Sequence, residues 1–337
     1  MELIVHIGQG KTGSSSIQGT LLINKKKLRE LDVVYTGLNF EHSPIKQFKW
    51  QKPGNWHLIL HDEIAQRELL SVMKDTVISA RKSGVAKLIW SNESLFTAPQ
   101  VVKPILKEIQ KMGVKIRIIV YMRRHDSWAR SAYMQWGIKH KTYTGALLPF
   151  GEWIKANGLH FSTSLTSWVS EDWDNINVIN FDDVDKLIES FFLCCDIDIA
   201  RFKEFRGNDT PSNVPANLWA LYNAQKDTQV LPHDLMGMFG KAGVINKRYK
   251  HVELNELFPT QAQLRAVYSS SSPDIEKVNS IIESFGGVPF SKNELASKDY
   301  TVSTEQMISC LLDVVKSQND RLEELERKFE QLNNKLK

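Results

Sequence analysis

The chain has 337 residues, 42% hydrophobic and 24% charged, with a formal net charge of +4. One large or two small domains with ample core fit that length, the composition is ordinary for a soluble globular protein, and without a dense basic block the mild charge gives no support to nucleic-acid binding. Cys194, Cys195 and Cys310 form neither a disulfide framework nor a zinc spacing, the start MELIVHIG lacks the features of a signal peptide, and no stretch nears the about 18 apolar residues of a membrane span, so a cytoplasmic location without a transmembrane segment is expected.

An apolar run, Leu3 to Ile7, predicts a short buried strand. Gly8, Gly10 and Gly13 then let the backbone turn tightly and approach a ligand with no Cβ in the way. Lys11 sits inside that turn. Thr12, Ser14, Ser15 and Ser16 offer hydroxyls and a helix N-cap, and Ile17, Leu21 and Leu22 begin a helical apolar stripe. Strand, Gly/Lys/Ser loop and helix together aim N–H groups and a helix dipole at an anion. The plain alternative is an ordinary strand-to-helix turn with a solvated lysine. A Walker A loop is excluded, because its first glycine would fall at position 5, where Val5 stands.

Residues 20–31 continue the helix, with Lys25, Lys26 and Lys27 read as a solvated face. Val33 to Tyr35 is a short strand. Residues 37–62, rich in aromatics and histidines and broken by Pro44, Pro53 and Gly54, read as a long loop or lid, or as a cover for the core. Residues 63–83 have helical periodicity, 85–90 read as a buried strand ending in Ser91-Asn92-Glu93-Ser94, 101–112 as a helix, and 114–122 as a strand ending in Arg123-Arg124. A helix over 126–141, mixed structure over 143–175, a strand over 176–181 and a helix over 182–192 follow. Repeated β-α-β spacing predicts a doubly wound parallel sheet, whose ligands sit beyond the carboxyl ends of the strands. The glycine loop, Glu93 and Arg123-Arg124 all fall there. Residues 204–216 read as a polar loop, 217–226 as a helix, and the stretch to about 305 as helical and loop-rich. From Ile308 the apolar residues follow a heptad, with Ile308, Val315, Leu322, Phe329 and Leu336 at a and Leu311, Gln318, Leu325 and Leu332 at d. A coiled-coil helix over 306–337 and a homo-oligomer formed through it are expected; the other reading is one amphipathic helix lying on its own domain.

The segment HIGQGKTGSSSIQ resembles the 5′-phosphosulfate-binding loop of sulfotransferases that use 3′-phosphoadenosine 5′-phosphosulfate (PAPS), and looks most like the bacterial carbohydrate branch. Arg123 and Ser131, eight apart in YMRRHDSWARSAYMQ, resemble the arginine and serine that bind the 3′-phosphate in that family, with Arg124 as the competing arginine. The resemblance implies a P-loop-type three-layer α/β sandwich with a central parallel sheet over 1–305, its PAPS-binding core mainly in 1–220 and a helical cap in 220–305. It implies transfer of a sulfuryl group to a hydroxyl of a carbohydrate acceptor, leaving adenosine 3′,5′-bisphosphate, with no metal. In that scheme Gly10, Lys11, Thr12, Gly13, Ser14, Ser15 and Ser16 hold the phosphosulfate, Lys11 offsets charge on the leaving phosphate oxygen, and Arg123 and Ser131 hold the 3′-phosphate. Arg206, Asn208 and Ser212 loosely resemble a segment closing over the nucleotide, of which Asn208 is carried as a site residue. Glu93 is the candidate base, its other reading being a carboxylate that binds a sugar hydroxyl or pairs with Lys11. His6 reads as structural, steadying the loop; His57, His61, His125 and His140 are reserve bases. Trp128 or Trp168 is the candidate adenine platform, and the aromatics of 40–61 suit stacking on a sugar or glycolipid acceptor. Two other classes remain open: a P-loop kinase or nucleotidase, and a non-catalytic coiled-coil scaffold.

Overall fold

Five parallel strands, β1 (Glu2–His6), β2 (Val33–Tyr35), β3 (Lys87–Ser91), β4 (Lys115–Met122) and β5 (Asn175–Asn180), form one sheet in the order β2-β3-β1-β4-β5. The computed structural model describes residues 1–43, 47–199, 202–205, 220–221, 223–224, 226–230, 257–293, 295–296, 300 and 302–336. The chain divides into two units, and the sheet belongs to the first: Met1–Trp128, Leu159–Asp209 and Tyr268–Asn293.

The strands read as near-continuous apolar runs because helices cover both faces. The helices are α1 (Ser14–Ile23), α2 (Lys25–Glu30), α3 (His57–His61), α4 (Glu63–Lys82), α5 (Pro99–Gln110), α6 (His125–Ala132), α7 (Phe150–Ala156), α8 (Phe161–Val169), α9 (Leu187–Cys194), α10 (Gln261–Ser270), α11 (Ser272–Ser284) and α12 (Thr304–Leu336). Leu3, Val5, Leu88, Trp90, Ile118 and Val120 pack with residues of α4, α5, α8 and α11. Ile4, Ile89, Ile119 and Tyr121, one residue out of phase, pack with Ile17, Leu21, Leu28, Phe191 and Phe192 of α1, α2 and α9. This period-two division between two helical layers makes the unit a P-loop-type three-layer α/β sandwich. The chain leaves β1 toward β2 on one side and later crosses to β4 on the other. The carboxyl end of β1 is therefore the switch point of the sheet, the place where α/β folds bind ligands.

Four local departures from sequence periodicity have side-chain causes. The helix expected over 20–31 breaks at Asn24, whose Nδ2 donates to the carbonyls of Thr20 (2.8 Å) and Lys203 (2.7 Å). Residues 37–62 carry a short 3₁₀ turn (Lys49–Gln51) and α3, and Phe40, Trp50 and Trp56 are buried in the core with Trp90. These rings cover the sheet and are not free platforms for a sugar. The helix expected over 126–141 widens after α6 into a π-helix, Tyr133–Lys139, where a Cβ on Gly137 would strike the Tyr133 ring. The first turn expected of α9 is a separate 3₁₀ turn, Phe181–Asp183, capped by the Asn180 side chain.

The second unit comprises Ala129–Gly158, Thr210–Val267 and Glu294–Lys337. Tyr133 packs edge-on against Phe150 and near Trp153, and Phe258 stacks on Tyr300. Lys141 is fully buried and donates to the carbonyls of Gly145 and Lys226. α12 ends this unit as one 33-residue helix. Among the described residues no helix is long and apolar enough to cross a membrane.

Candidate functional site

The loop after β1 is held by backbone bonds to β4 and by side-chain bonds to its Gln9 and Gly10 carbonyls. Ile7 N–H donates to Ile119 O (3.0 Å) and Gln9 N–H to Tyr121 O (3.3 Å), carrying the β4 pairing past the strand end. Thr12 Oγ1 donates to Gln9 O (2.5 Å) and Trp128 Nε1 to Gly10 O (2.8 Å), which fixes the turn from two sides. Lys11 (φ 71) and Gly13 (φ 76) both adopt left-handed backbone. For lysine that conformation is strained, and such strain persists where the surroundings impose it. The helix begins without a hydroxyl cap: Gly13 is the N-cap residue and caps with no side chain. The N–H groups of Gly13, Ser14 and Ser15 consequently have no acceptor among the described residues, while those of Ser16 and Ile17 turn back to Gly13 O. Ser14 Oγ and Gln9 Nε2 are likewise buried with no partner among the described residues. A buried donor without an acceptor is costly, about 1–3 kcal/mol each. Ser14 Oγ and Gln9 Nε2, buried without a partner among the described residues, and the first-turn N–H groups beside them make this loop the candidate anion site.

Arg123 completes the same strand end. Its N–H donates to Gln9 Oε1 (2.8 Å), its Nε to Ser127 Oγ (2.8 Å) and its Nη1 to Lys11 O (3.0 Å). Asp182 Oδ1 stands 3.5 Å from Arg123 Nε and accepts from Ser127 Oγ at 3.2 Å. The guanidinium also lies over the Phe181 ring. Arg124 is used differently. It is buried, grips Asp126 through Nε (2.8 Å) and Nη2 (3.1 Å), and donates from Nη1 to the carbonyls of Ser291 and Asn293. Of the two adjacent arginines, Arg123 is the one at the loop and Arg124 holds the fold. Ser131 lies half-buried near the end of α6, in the second unit.

Glu93 opens a 3₁₀ turn (Glu93–Leu95) just beyond β3 and is half-buried. Gln18 of α1 holds it: Gln18 Nε2 donates to Glu93 Oε2 (2.8 Å) and Ser91 O (3.3 Å). Ser91 Oγ in turn shares a 2.8 Å hydrogen bond with His6 Nδ1. His6 is fully buried between the Tyr121 and Phe191 rings, and burial pushes its pKa down to about 3. Its ring packs against the loop: a Cβ on Gly8 would lie 2.7 Å from His6 Nε2 and 3.2 Å from Ser14 Oγ. Glycine at position 8 is therefore a packing requirement. Burial and the nearby carboxylates of Glu41 and Glu93 hold the Tyr35 phenol above its usual range.

The remaining candidates divide clearly. His125 is fully buried and bonded through Nε2 to Asp274 Oδ2 (2.8 Å), so it is structural. Burial opposes the Asp274 carboxylate, yet His125 and Ser162 hold its pKa at about 2. Trp168 is fully buried, with Nε1 donating to Phe96 O, and cannot stack on an adenine; the Trp128 indole N–H is taken by the loop. His57 and His61 are exposed, and His140 is half-buried in the second unit. Lys26 and Lys27 are exposed as expected, whereas Lys25 is half-buried, where burial lowers and Glu41 raises its pKa, for a net lowering. Arg206, Asn208 and Ser212 lie outside the described residues. Sequence reading missed Gln18, Ser127 and Asp182. Gln18 closes the very segment that carries the loop, one turn after Ser14, and its polar side chain interrupting the apolar helix was the available signal.

The strand–loop–helix turn at the switch point of a parallel sheet is that of a P-loop-type α/β fold. No family model matches the chain, and no curated protein matches it. Among solved structures it is similar in part to one described as the PezAT chromosomal toxin-antitoxin system of the human pathogen Streptococcus pneumoniae, with 14% identity over 61% of this chain and 79% of that one. The TM-score is 0.26.

Proposed function

We propose that the protein is a PAPS-dependent sulfotransferase that moves a sulfuryl group to a hydroxyl of a carbohydrate acceptor. The observation that carries the reading is the pairing of two distant cationic segments at the carboxyl ends of the neighbouring strands β1 and β4: the Lys11 loop and Arg123, which is bonded to the Lys11 carbonyl at 3.0 Å. A donor with a 5′-phosphosulfate and a separate 3′-phosphate needs two such anion sites. The loop donors of Gly10 to Ser16 would take the phosphosulfate. Arg123, with Ser127 beside it, would take the 3′-phosphate.

In the reaction an acceptor oxygen attacks sulfur in line while the bond from sulfur to the 5′-phosphate oxygen breaks. Glu93 takes the acceptor proton, and Lys11 offsets the charge appearing on the leaving phosphate. Gln18 orients Glu93 with one hydrogen bond and leaves its other oxygen available. The same fold admits an ATP-using kinase, a reading weakened by Val5 where a Walker A loop has its first glycine. The chain is expected to work in the cytoplasm as a homo-oligomer joined through α12.

Calorimetry decides between these. Adenosine 3′,5′-bisphosphate binding in preference to ATP with magnesium, and lost in Arg123→Ala, supports sulfuryl transfer. Preference for ATP supports the kinase, and binding of neither supports a non-catalytic scaffold.

A further inference from the structure

The last turns of α12, from Arg321 to Leu332, carry an apolar seam that no described residue covers. From Arg321 to Leu332 every residue is exposed, including Leu322, Leu325, Phe329 and Leu332 at heptad positions a and d; Leu325 is 59% and Phe329 65% exposed. Further up the helix Ile308 and Val315, the a positions, are exposed too, while Leu311 and Gln318, the d positions, are half-buried. A helix lying on its own unit would bury that stripe. An exposed a/d seam with β-branched residues at the upper a positions and leucine at most d positions suits a second identical helix.

The charges beside the seam choose its direction. Arg321 and Lys328 occupy g positions and Glu326 an e position. In a parallel pair, g of one helix meets the following e of its partner, so Arg321 of each copy faces Glu326 of the other, twice per dimer. In an antiparallel pair with the same leucine overlap, Glu326 would meet Glu326 and Lys328 would meet Lys328. Like charges at those positions oppose that arrangement. Within one helix Lys328 also pairs with Glu324 of the outer face.

We infer that α12 binds α12 of a second copy of this chain as a parallel, in-register, two-stranded coiled coil, clamped by reciprocal Arg321–Glu326 pairs. This goes beyond the expected self-association by fixing the number and direction of the strands, and it does not depend on the sulfotransferase reading.

Sedimentation equilibrium of the full chain tests it. The wild type is expected to be a dimer and Leu325→Asp a monomer, with unchanged circular dichroism in the sheet region because position 325 lies on the exposed stretch of α12. Arg321→Glu and Glu326→Arg should each weaken the dimer by about tenfold, since two exposed pairs turn from attraction to repulsion. The double variant should return to within about threefold of wild type, because the pair is restored with its signs exchanged. A monomeric wild type, or a trimer or tetramer, overturns the two-stranded assignment. A dimer broken by Leu325→Asp but indifferent to Arg321→Glu overturns the parallel one.

Discussion

His6 offers a test of the site that needs no substrate. Its folded pKa is held near 3 by burial, against about 6.5 for an exposed histidine. A group with a depressed folded pKa contributes stability above its unfolded pKa and loses it as pH falls, because only the unfolded chain takes the proton. The window therefore runs from about 6.5 down to about 3. The loss is about 0.8 kcal/mol at about pH 6 and about 2 kcal/mol at about pH 5, at about 1.36 kcal/mol per pKa unit. The comparison is with His6→Asn, which keeps a polar group toward Ser91 and removes the titration. The shorter side chain lowers stability at every pH through the cavity it leaves. Urea unfolding followed by tryptophan fluorescence, which reports Trp90 and Trp168 in the sheet unit, gives both curves. The gap between wild type and His6→Asn should narrow by about 2 kcal/mol on going from about pH 7 to about pH 5, since all other titrations cancel in the difference. Parallel curves would refute the reasoning: His6 would then titrate alike in both states, and its contact with the loop could not be that of a permanently neutral ring.

Other outcomes follow from the same geometry. Lys11→Ala should lower sulfuryl transfer by about a hundredfold or more while leaving bisphosphate binding measurable, as read by steady-state kinetics and calorimetry; near-normal turnover would remove Lys11 from the chemistry. Arg123→Ala should lose bisphosphate binding and keep its melting temperature within a few degrees, whereas Arg124→Ala should cost about 3–5 kcal/mol of stability because Asp126 is left buried without its partner; equal melting curves for the two would contradict their separate roles. Gln18→Ala should lower kcat more than KM, because Glu93 loses the bond that orients it; unchanged kinetics would show that Gln18 does not orient Glu93. Gly13→Ala meets both a left-handed φ and the Leu187 side chain, and should weaken anion binding together with stability in thermal unfolding.

The sheet was legible because its strands are apolar on both faces and its helices on one, so periodicity alone separates them. The loop was legible because glycine spacing, a lysine and hydroxyls coincide in one turn. What stayed hidden depends on bonds between distant side chains and backbone. Nothing local tells that Asn24 cuts a helix by reaching Lys203, or that Arg124 turns inward to Asp126 while its neighbour faces the loop. Aromatic and histidine composition over 37–62 left a binding lid and a cover for the core both open, and burial of Phe40, Trp50 and Trp56 fits the cover. The expected serine or threonine cap failed for a related reason: with Gly13 left-handed, the hydroxyls are released from capping.

Lys11 sets two requirements of one position against each other. The backbone there has the conformation that glycine adopts freely, and the proposed chemistry there asks for an ammonium. A Lys11→Gly protein should relax the turn and gain up to about 1 kcal/mol if strain outweighs the added freedom of the unfolded chain, while losing its charge donor. Selection for thermostability alone would thus drift toward glycine at this position, so a lysine held there against its backbone preference is what the proposed charge donor requires.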